Sequence, residues 1–265
     1  MTNSKATRSI TLPSKGLLYE GQIPDGKVKC NLWDTTIEEI FSSGFGSSSN
    51  LISEVLDRCL ETPFKSTELL VGDRYYAFMA LRAESYGGAY TFPFKCNFCN
   101  FKFKDTLDIM KDLKVIELPD DAKEPFNVEL TDAGVTVQFR LLRGFDDEDI
   151  DEYLDKFYQK TATKGAKLGK GGRVLNAGGR KKKLQNPVYK YRLAKHIVGV
   201  NNEEFDLDQS LDFINNLMAG DSRELRAAIN EVDPRLDIRI EIECPKCDSV
   251  NETTLPFTSD LISPQ

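Results

Sequence analysis

The sequence predicts an α+β fold in which helical layers combine with β-hairpins. Three observations carry this. Helix-period apolar faces dominate the first ninety residues, strict alternation replaces them around two Cys-x-x-Cys turns, and 40% hydrophobic residues in 265 suffice for the core of one large or two modest domains.

The first region, residues 1–88, opens with a short strand and turn over Ser9 to Ile23: Ile10 and Leu12, then Pro13-Ser14-Lys15-Gly16, then Leu17, Leu18 and Tyr19. From Asp34 the pattern is helical. Thr35 or Thr36 can cap Ile37 to Phe41, and Ser49 or Asn50 can cap a helix whose apolar face is Leu51, Ile52, Val55, Leu56 and Cys59. A third helix is expected from about Asp73, ending at Gly87-Gly88, which cannot sustain it.

Residues 89–142 switch to period two. Tyr90, Phe92 and Phe94 lead into Cys96-Asn97-Phe98-Cys99, and Phe101 and Phe103 lead out, which predicts a hairpin with a cysteine knuckle. A second hairpin follows, with Phe126, Val128 and Leu130 on one side of the turn Thr131 to Gly134 and Val135, Val137 and Phe139 on the other. Residues 143–235 return to helix: an acidic one over Asp146 to Tyr158, then a basic loop at 161–185, then two or three more between Pro187 and Val232. Residues 236–265 alternate again, Leu236, Ile238, Ile240 and Ile242 running into Cys244-Pro245-Lys246-Cys247. This second knuckle hairpin is expected to pair with residues 89–105 and to end in a tail.

Charge is segregated. The net charge of −7 comes from 35 Lys and Arg against 42 Asp and Glu, yet Lys156 to Lys195 holds thirteen basic residues and no acidic one. The rest is therefore 22 against 42. Within this stretch, Thr161 to Gln185 has six glycines and almost nothing apolar, too little burial to offset its ordering entropy, so it is expected to be mobile when alone and the first place a protease cuts. No apolar run approaches the roughly 18 residues that would span a bilayer, and Met1 to Arg8 lacks a secretion signal's hydrophobic stretch. A soluble, intracellularly made protein with no membrane partner is expected.

Of six cysteines, four form the two knuckles. A structural zinc site needs four thiolate or imidazole ligands in a tetrahedron, and a two-residue gap in a tight turn lets both sulfurs of a knuckle face one ion. Cys96, Cys99, Cys244 and Cys247 supply the set as a zinc-ribbon-like module. The 144 residues between the pairs exceed the usual ribbon spacing of roughly 15 to 20, so only tertiary structure can join them. Reduced thiols packed without metal, or oxidised knuckles, are the alternatives. A thioredoxin-like redox pair would sit at a helix N-terminus after a strand, whereas both pairs lie between strands. Cys30 and Cys59 fall on apolar patterns and are assigned to the core.

Catalytic signals fail. The single histidine, His196, is expected on a helix facing the core or its boundary, and no nucleophile with a nearby base emerges. The glycine-rich Gly165 to Gly171 run is one residue short of a phosphate loop, lacks its Ser or Thr, and follows a helix. The acidic run Asp146 to Glu152 lacks a calcium loop's glycine and spacing, and is expected to be a solvated helix N-terminus favoured by the helix dipole. The basic stretch 156–195 admits two readings: a nucleic-acid backbone contact, or an arm that orders against an acidic protein surface. Few aromatics for base stacking precede Tyr189 and Tyr191 and the remaining surface is acidic, which favours the arm.

Leu12-Pro13-Ser14-Lys15-Gly16-Leu17-Leu18-Tyr19, the stretch Leu69-Leu70-Val71-Gly72-Asp73-Arg74 leading through Arg82 to Tyr86-Gly87-Gly88-Ala89-Tyr90-Thr91-Phe92, the first knuckle, and Cys244 to Cys247 running on to Leu255-Pro256-Phe257 together resemble the baseplate hub or hub-assembly proteins of T-even-type contractile-tailed bacteriophages. The resemblance covers about the first 105 and last 30 residues. It implies a non-enzymatic tail protein without a small-molecule substrate that helps build, or remains in, the baseplate. Such a protein would be found in the virion tail or in the host cytoplasm during assembly, with other tail and baseplate proteins as partners. The expected partner-binding residues are Lys164, Lys167, Lys170, Arg173, Arg180, Lys181, Lys182, Lys183 and, in the tail, Phe257. The alternative is a zinc-ribbon nucleic-acid-binding protein using 156–195.

Overall fold

The computed structural model describes residues 7–42, 48–163, 167–169, 173–175, 181–183 and 187–255. The chain forms two compact units, one from Met1–Ala122 with Val232–Gln265 and the other from Lys123–Glu231. The architecture is helices with antiparallel sheets, an α+β fold.

In the first unit β1 (Thr7–Thr11) pairs antiparallel with β2 (Lys27–Asn31). Their connection turns at Gly16, whose φ of 78° and 2.2 Å approach of a would-be Cβ to the Ile23 carbonyl oxygen leave room for glycine alone. α1 (Thr35–Ser42) and α2 (Ser48–Cys59) follow, and β3 (Leu60–Glu61) widens the sheet. The cap expected at Thr35 or Thr36 falls on Asp34, whose Oδ1 accepts the Thr36 N–H at 3.0 Å. α3 (Val71–Tyr86) ends at Gly87, as the sequence predicts. Its apolar residues are irregularly spaced because it is buried on most sides: Ala77, Phe78, Met79 and Leu81 are core, and so are Asp73, Arg74 and Arg82.

Those buried charges tie the segments that carry the family resemblance to one another. Asp73 Oδ1 accepts the Ser14 N–H at 3.0 Å, Asp73 Oδ2 accepts the Tyr19 hydroxyl at 2.6 Å, and that hydroxyl accepts the Leu70 N–H at 2.8 Å. Arg82 donates to the carbonyl oxygens of Gly87 and Ala89, fixing the exit of α3 into the first knuckle hairpin. The single tryptophan, Trp33, packs on Phe41, Phe78 and Tyr86 at ring distances of 5.0, 5.3 and 5.6 Å. β4 (Ala89–Lys95) and β5 (Lys102–Asp108) then pair from Ala89 opposite Asp108 to Lys95 opposite Lys102, and β6 (Lys114–Ile116) follows.

The second unit contains β7 (Phe126–Leu130), β8 (Val135–Phe139), α4 (Gly144–Thr163), three short strands β9 (Lys167–Gly169), β10 (Arg173–Leu175) and β11 (Lys181–Lys183), α5 (Val188–His196), β12 (Ile197–Val200), β13 (Glu203–Glu204), α6 (Leu207–Asn216) and α7 (Ala219–Val232). Its main sheet has the order β13-β12-β8-β7. β12, unforeseen in a region expected to be helical, is the β-branched Ile197-Val198-Gly199-Val200 leaving α5 directly. β9 to β11 form an antiparallel meander where a loop is expected, and the remainder of 164–186 lies outside the described residues.

The acidic start of α4 is not the solvated face expected of it. Asp146 and Asp147 are buried, at 1% and 3% exposure. Arg140 grips Asp146 through two hydrogen bonds of 2.7 and 2.8 Å, Arg192 pairs with Asp147, and Lys195 reaches Asp149 at 2.5 Å. Sequence composition shows charge but not the cations that the fold returns to it.

His196 closes α5, buried as expected, with Nδ1 2.8 Å from the Arg140 carbonyl oxygen. Burial pushes its pKa down to about 4 from an ordinary 6.5, and Arg192 and Arg140 add to that. Between those values the unfolded chain takes up a proton that the folded one refuses, so this residue's contribution to stability is intact above pH 6.5 and lost as pH falls toward 4. The slope is about 1.4 kcal/mol per pH unit at most. Urea midpoints for His196→Gln should be flatter than wild type between pH 7 and pH 5, and identical slopes would contradict this assignment.

The chain then returns to the first unit. β14 (Arg235–Asp237) pairs with β6, Leu236 opposite Val115, so the alternating run from Leu236 is split and the second knuckle hairpin begins only at β15 (Arg239–Glu243), paired with β16 (Val250–Thr254). Each knuckle hairpin is a two-stranded sheet by itself, so they meet through side chains and not through a shared ladder.

Candidate metal centre

The two knuckles share one backbone form. In the first, Cys96 N–H donates to the Phe101 carbonyl at 2.9 Å and Asn100 N–H to the Cys96 carbonyl at 3.1 Å. In the second, Cys244 N–H donates to Ser249 at 3.1 Å and Asp248 N–H to Cys244 at 2.9 Å. Asn100 and Asp248 occupy the same place with φ of 59° and 55°, a left-handed position that short polar residues tolerate. This tight turn aims both sulfurs of each pair to one side.

The four sulfurs converge as the sequence predicts, all within 4.8 Å of one another. Across the knuckles, Cys96 and Cys247 sulfurs are 3.8 Å apart and those of Cys99 and Cys244 are 3.6 Å apart. Four thiolates at about 2.3 Å from a central ion lie about 3.8 Å from each other in a tetrahedron, so the spacing fits a metal. Cys96 and Cys244 are buried while Cys99 and Cys247 are half-buried. All six cysteines are free thiols, and Cys30 and Cys59 are core as expected. At Cys30 burial raises the thiol pKa to about 11.

The cluster is electrostatically divided. The Cys99 N–H and then the Phe98 N–H favour thiolate at Cys96, whose pKa falls to about 6. At Cys99 the Phe101 N–H works against burial and the three neighbouring thiols, which together push it up to about 12. The Ser249 hydroxyl lowers Cys247. Four thiols this close cannot all ionise unless a cation replaces their protons, which is what a bound divalent metal does.

One residue of this centre escapes the sequence reading. Asn251, 1% exposed, accepts the Asn97 N–H at 2.9 Å from the opposite knuckle and directs its NH₂ toward Cys96 sulfur at 3.7 Å, the Ile242 carbonyl at 3.3 Å and the Ser249 carbonyl at 3.0 Å. The available signal is phase: Asn251 stands seven residues after Cys244, where the first knuckle has the apolar Phe103 seven after Cys96.

The expected partner-binding residues do not form a described surface. Lys164, Lys170, Arg180 and Phe257 lie outside the described residues, while Lys167, Arg173 and Lys181, Lys182 and Lys183 are described only as strand backbone. Other basic residues of the stretch have partners within the fold: Lys156 pairs with Glu152 and Lys190 with Asn215 on the surface, Arg192 reaches the buried Asp147, and Lys195 pairs with Asp149. Tyr191 is buried, stacked on Tyr153 at 3.9 Å, and so is unavailable for stacking on bases.

Two knuckles 144 residues apart in sequence are thus gathered in one unit around four thiols. Residues 19–262 match the family described as T4 bacteriophage base plate protein, and the chain belongs to that family. It is therefore a phage baseplate protein with a structural role in the tail. No curated protein and no solved structure matches it. No helix among the described residues is long and apolar enough to cross a membrane.

Proposed function

We propose that this chain is a zinc-stabilised baseplate hub or hub-assembly protein that acts by presenting surfaces to other tail proteins. The convergence of the Cys96, Cys99, Cys244 and Cys247 sulfurs within 4.8 Å, with cross-knuckle distances of 3.8 and 3.6 Å, carries the metal part of this reading. An all-thiol set selects a soft cation, and among divalent ions zinc takes such a set without redox chemistry. With all four positions filled by protein no place is left for water or substrate, so the ion closes the unit and performs no hydrolysis. The basic arm, Lys164 to Lys183, and the tail with Phe257 are the surfaces assigned to partners.

Elemental analysis of freshly reduced protein should return about one zinc per chain, and mass spectrometry of purified particles should find the chain beside other baseplate proteins. Metal-free protein would remove zinc from this account, and absence from particles would point to release after assembly. The protein-partner reading is favoured over a nucleic-acid one because Tyr191 is buried against Tyr153 and Lys195 and Arg192 are paired with Asp149 and Asp147. Filter binding tests the latter: salt-sensitive DNA or RNA affinity that vanishes on neutralising Arg180 to Lys183 would revive it.

A further inference from the structure

We propose that Asn251 is the positioning residue of the metal centre: one carboxamide that locks the two knuckles in register and donates an N–H to the Cys96 sulfur. This rests on the metal reading above and adds to it a residue that is not a ligand. The argument begins with what holds the hairpins together. They share no backbone ladder, so before metal binds their relative placement depends on side chains. Asn251 reaches from the second hairpin to the backbone of the first, accepting the Asn97 N–H at 2.9 Å.

The same amide is fixed from behind. Its two N–H groups are shared among three acceptors, the Ile242 and Ser249 carbonyls at 3.3 and 3.0 Å within its own hairpin and the Cys96 sulfur across from it, so the carbonyls orient the amide toward that sulfur. Cys96 then has donors from both hairpins, the Phe98 N–H at 3.4 Å and the Cys99 N–H from its own knuckle and Asn251 Nδ2 at 3.7 Å from the other. Donors to a ligating sulfur stabilise the thiolate and aim its lone pairs, and loss of such an outer partner typically weakens metal binding about 10- to 100-fold. A buried amide with every polar direction used is costly to replace by anything apolar, which accounts for a polar residue in the inward phase of β16.

The test uses the full chain with Co²⁺ as probe, at pH 8, reading affinity by chelator competition and the thiolate-to-cobalt charge-transfer band. Asn251→Ala removes acceptor and donors alike. Asn251→Asp keeps the shape and an acceptor for Asn97 N–H, but sets a carboxylate oxygen against Cys96 and the Ile242 and Ser249 carbonyls in place of their donor. Both variants should bind Co²⁺ about 10- to 100-fold more weakly than wild type, Asp at least as weakly as Ala, with a displaced charge-transfer band. An Asp variant with wild-type affinity and spectrum would reduce Asn251 to a packing residue and overturn the proposal, leaving the metal reading untouched. A wild-type chain that takes up no Co²⁺ would overturn both. Because Asp preserves the volume, it decides the matter even where Ala fails to fold.

Discussion

Replacing Cys244 with serine, or stripping the metal with a chelator, is expected to lower the thermal midpoint by about 10–20 °C. Structural zinc carries an apparent binding free energy of about 10–16 kcal/mol in small fingers. Part of that is spent here on gathering thiols whose backbone turns already exist in the fold. If the net contribution is about 5 kcal/mol, it is a third or more of the stability of an ordinary domain, and for a chain of this size each kcal/mol shifts the midpoint by about 2–4 °C. Cys244 is the informative position because it is buried with its sulfur 3.6 Å from that of Cys99, so an oxygen placed there is both a poorer ligand and a desolvated one. The metal would also close a loop across residues 100–243, a constraint on the unfolded chain that grows with the logarithm of loop length. Scanning calorimetry with and without chelator measures the effect. Cys30→Ala is the control: its thiol is buried elsewhere in the core, so that variant should keep the full chelator response. A chelator-indifferent wild type would show that the thiols pack without an ion.

The cluster was legible because its ingredients are local. A Cys-x-x-Cys between alternating apolar residues specifies a knuckle hairpin without help from the rest of the chain, and two such knuckles with no other use for their thiols leave few partners except each other. Helix α3 was legible for a similar reason, since Gly87-Gly88 stops it. What stayed hidden has its cause far away in sequence. The pairing of Lys114–Ile116 with Arg235–Asp237 joins two three-residue strands across the whole second unit's worth of chain, and neither segment is long enough to show a period. The acidic run of α4 read as solvated because its cations, Arg140 before it and Arg192 and Lys195 after it, reach it only through the fold. Asp73 stands in the first turn of α3, near the start the sequence predicts, and its further role as the acceptor that joins Ser14 and Tyr19 to the helix did not show in the sequence. Local pattern decides which element forms, while burial and charge pairing depend on what that element meets.

Gly72→Ala separates those two levels by the sign of its effect. Helix propensity predicts a gain, up to about 1 kcal/mol for replacing glycine with alanine inside a helix. The fold predicts a loss, because a Cβ on Gly72 would lie 1.6 Å from the Pro234 carbonyl oxygen and 2.8 Å from its carbon. That obstacle is backbone, and no rotamer change relieves it. Neither side can yield cheaply. Asp73, the next residue, is fixed by Ser14 N–H and the Tyr19 hydroxyl, while Pro234 leads directly into β14, whose register places Arg235 opposite Ile116. Overpacking of this kind costs about 3 kcal/mol, a net loss of about 2 kcal/mol against the propensity gain, which lowers the midpoint by about 4–8 °C. An alanine variant as stable as wild type, by thermal and urea unfolding, would mean that α3 and the strand after Pro234 do not approach so closely. The returning chain would then be held by the pairing of β14 with β6 and by the cysteines and Asn251.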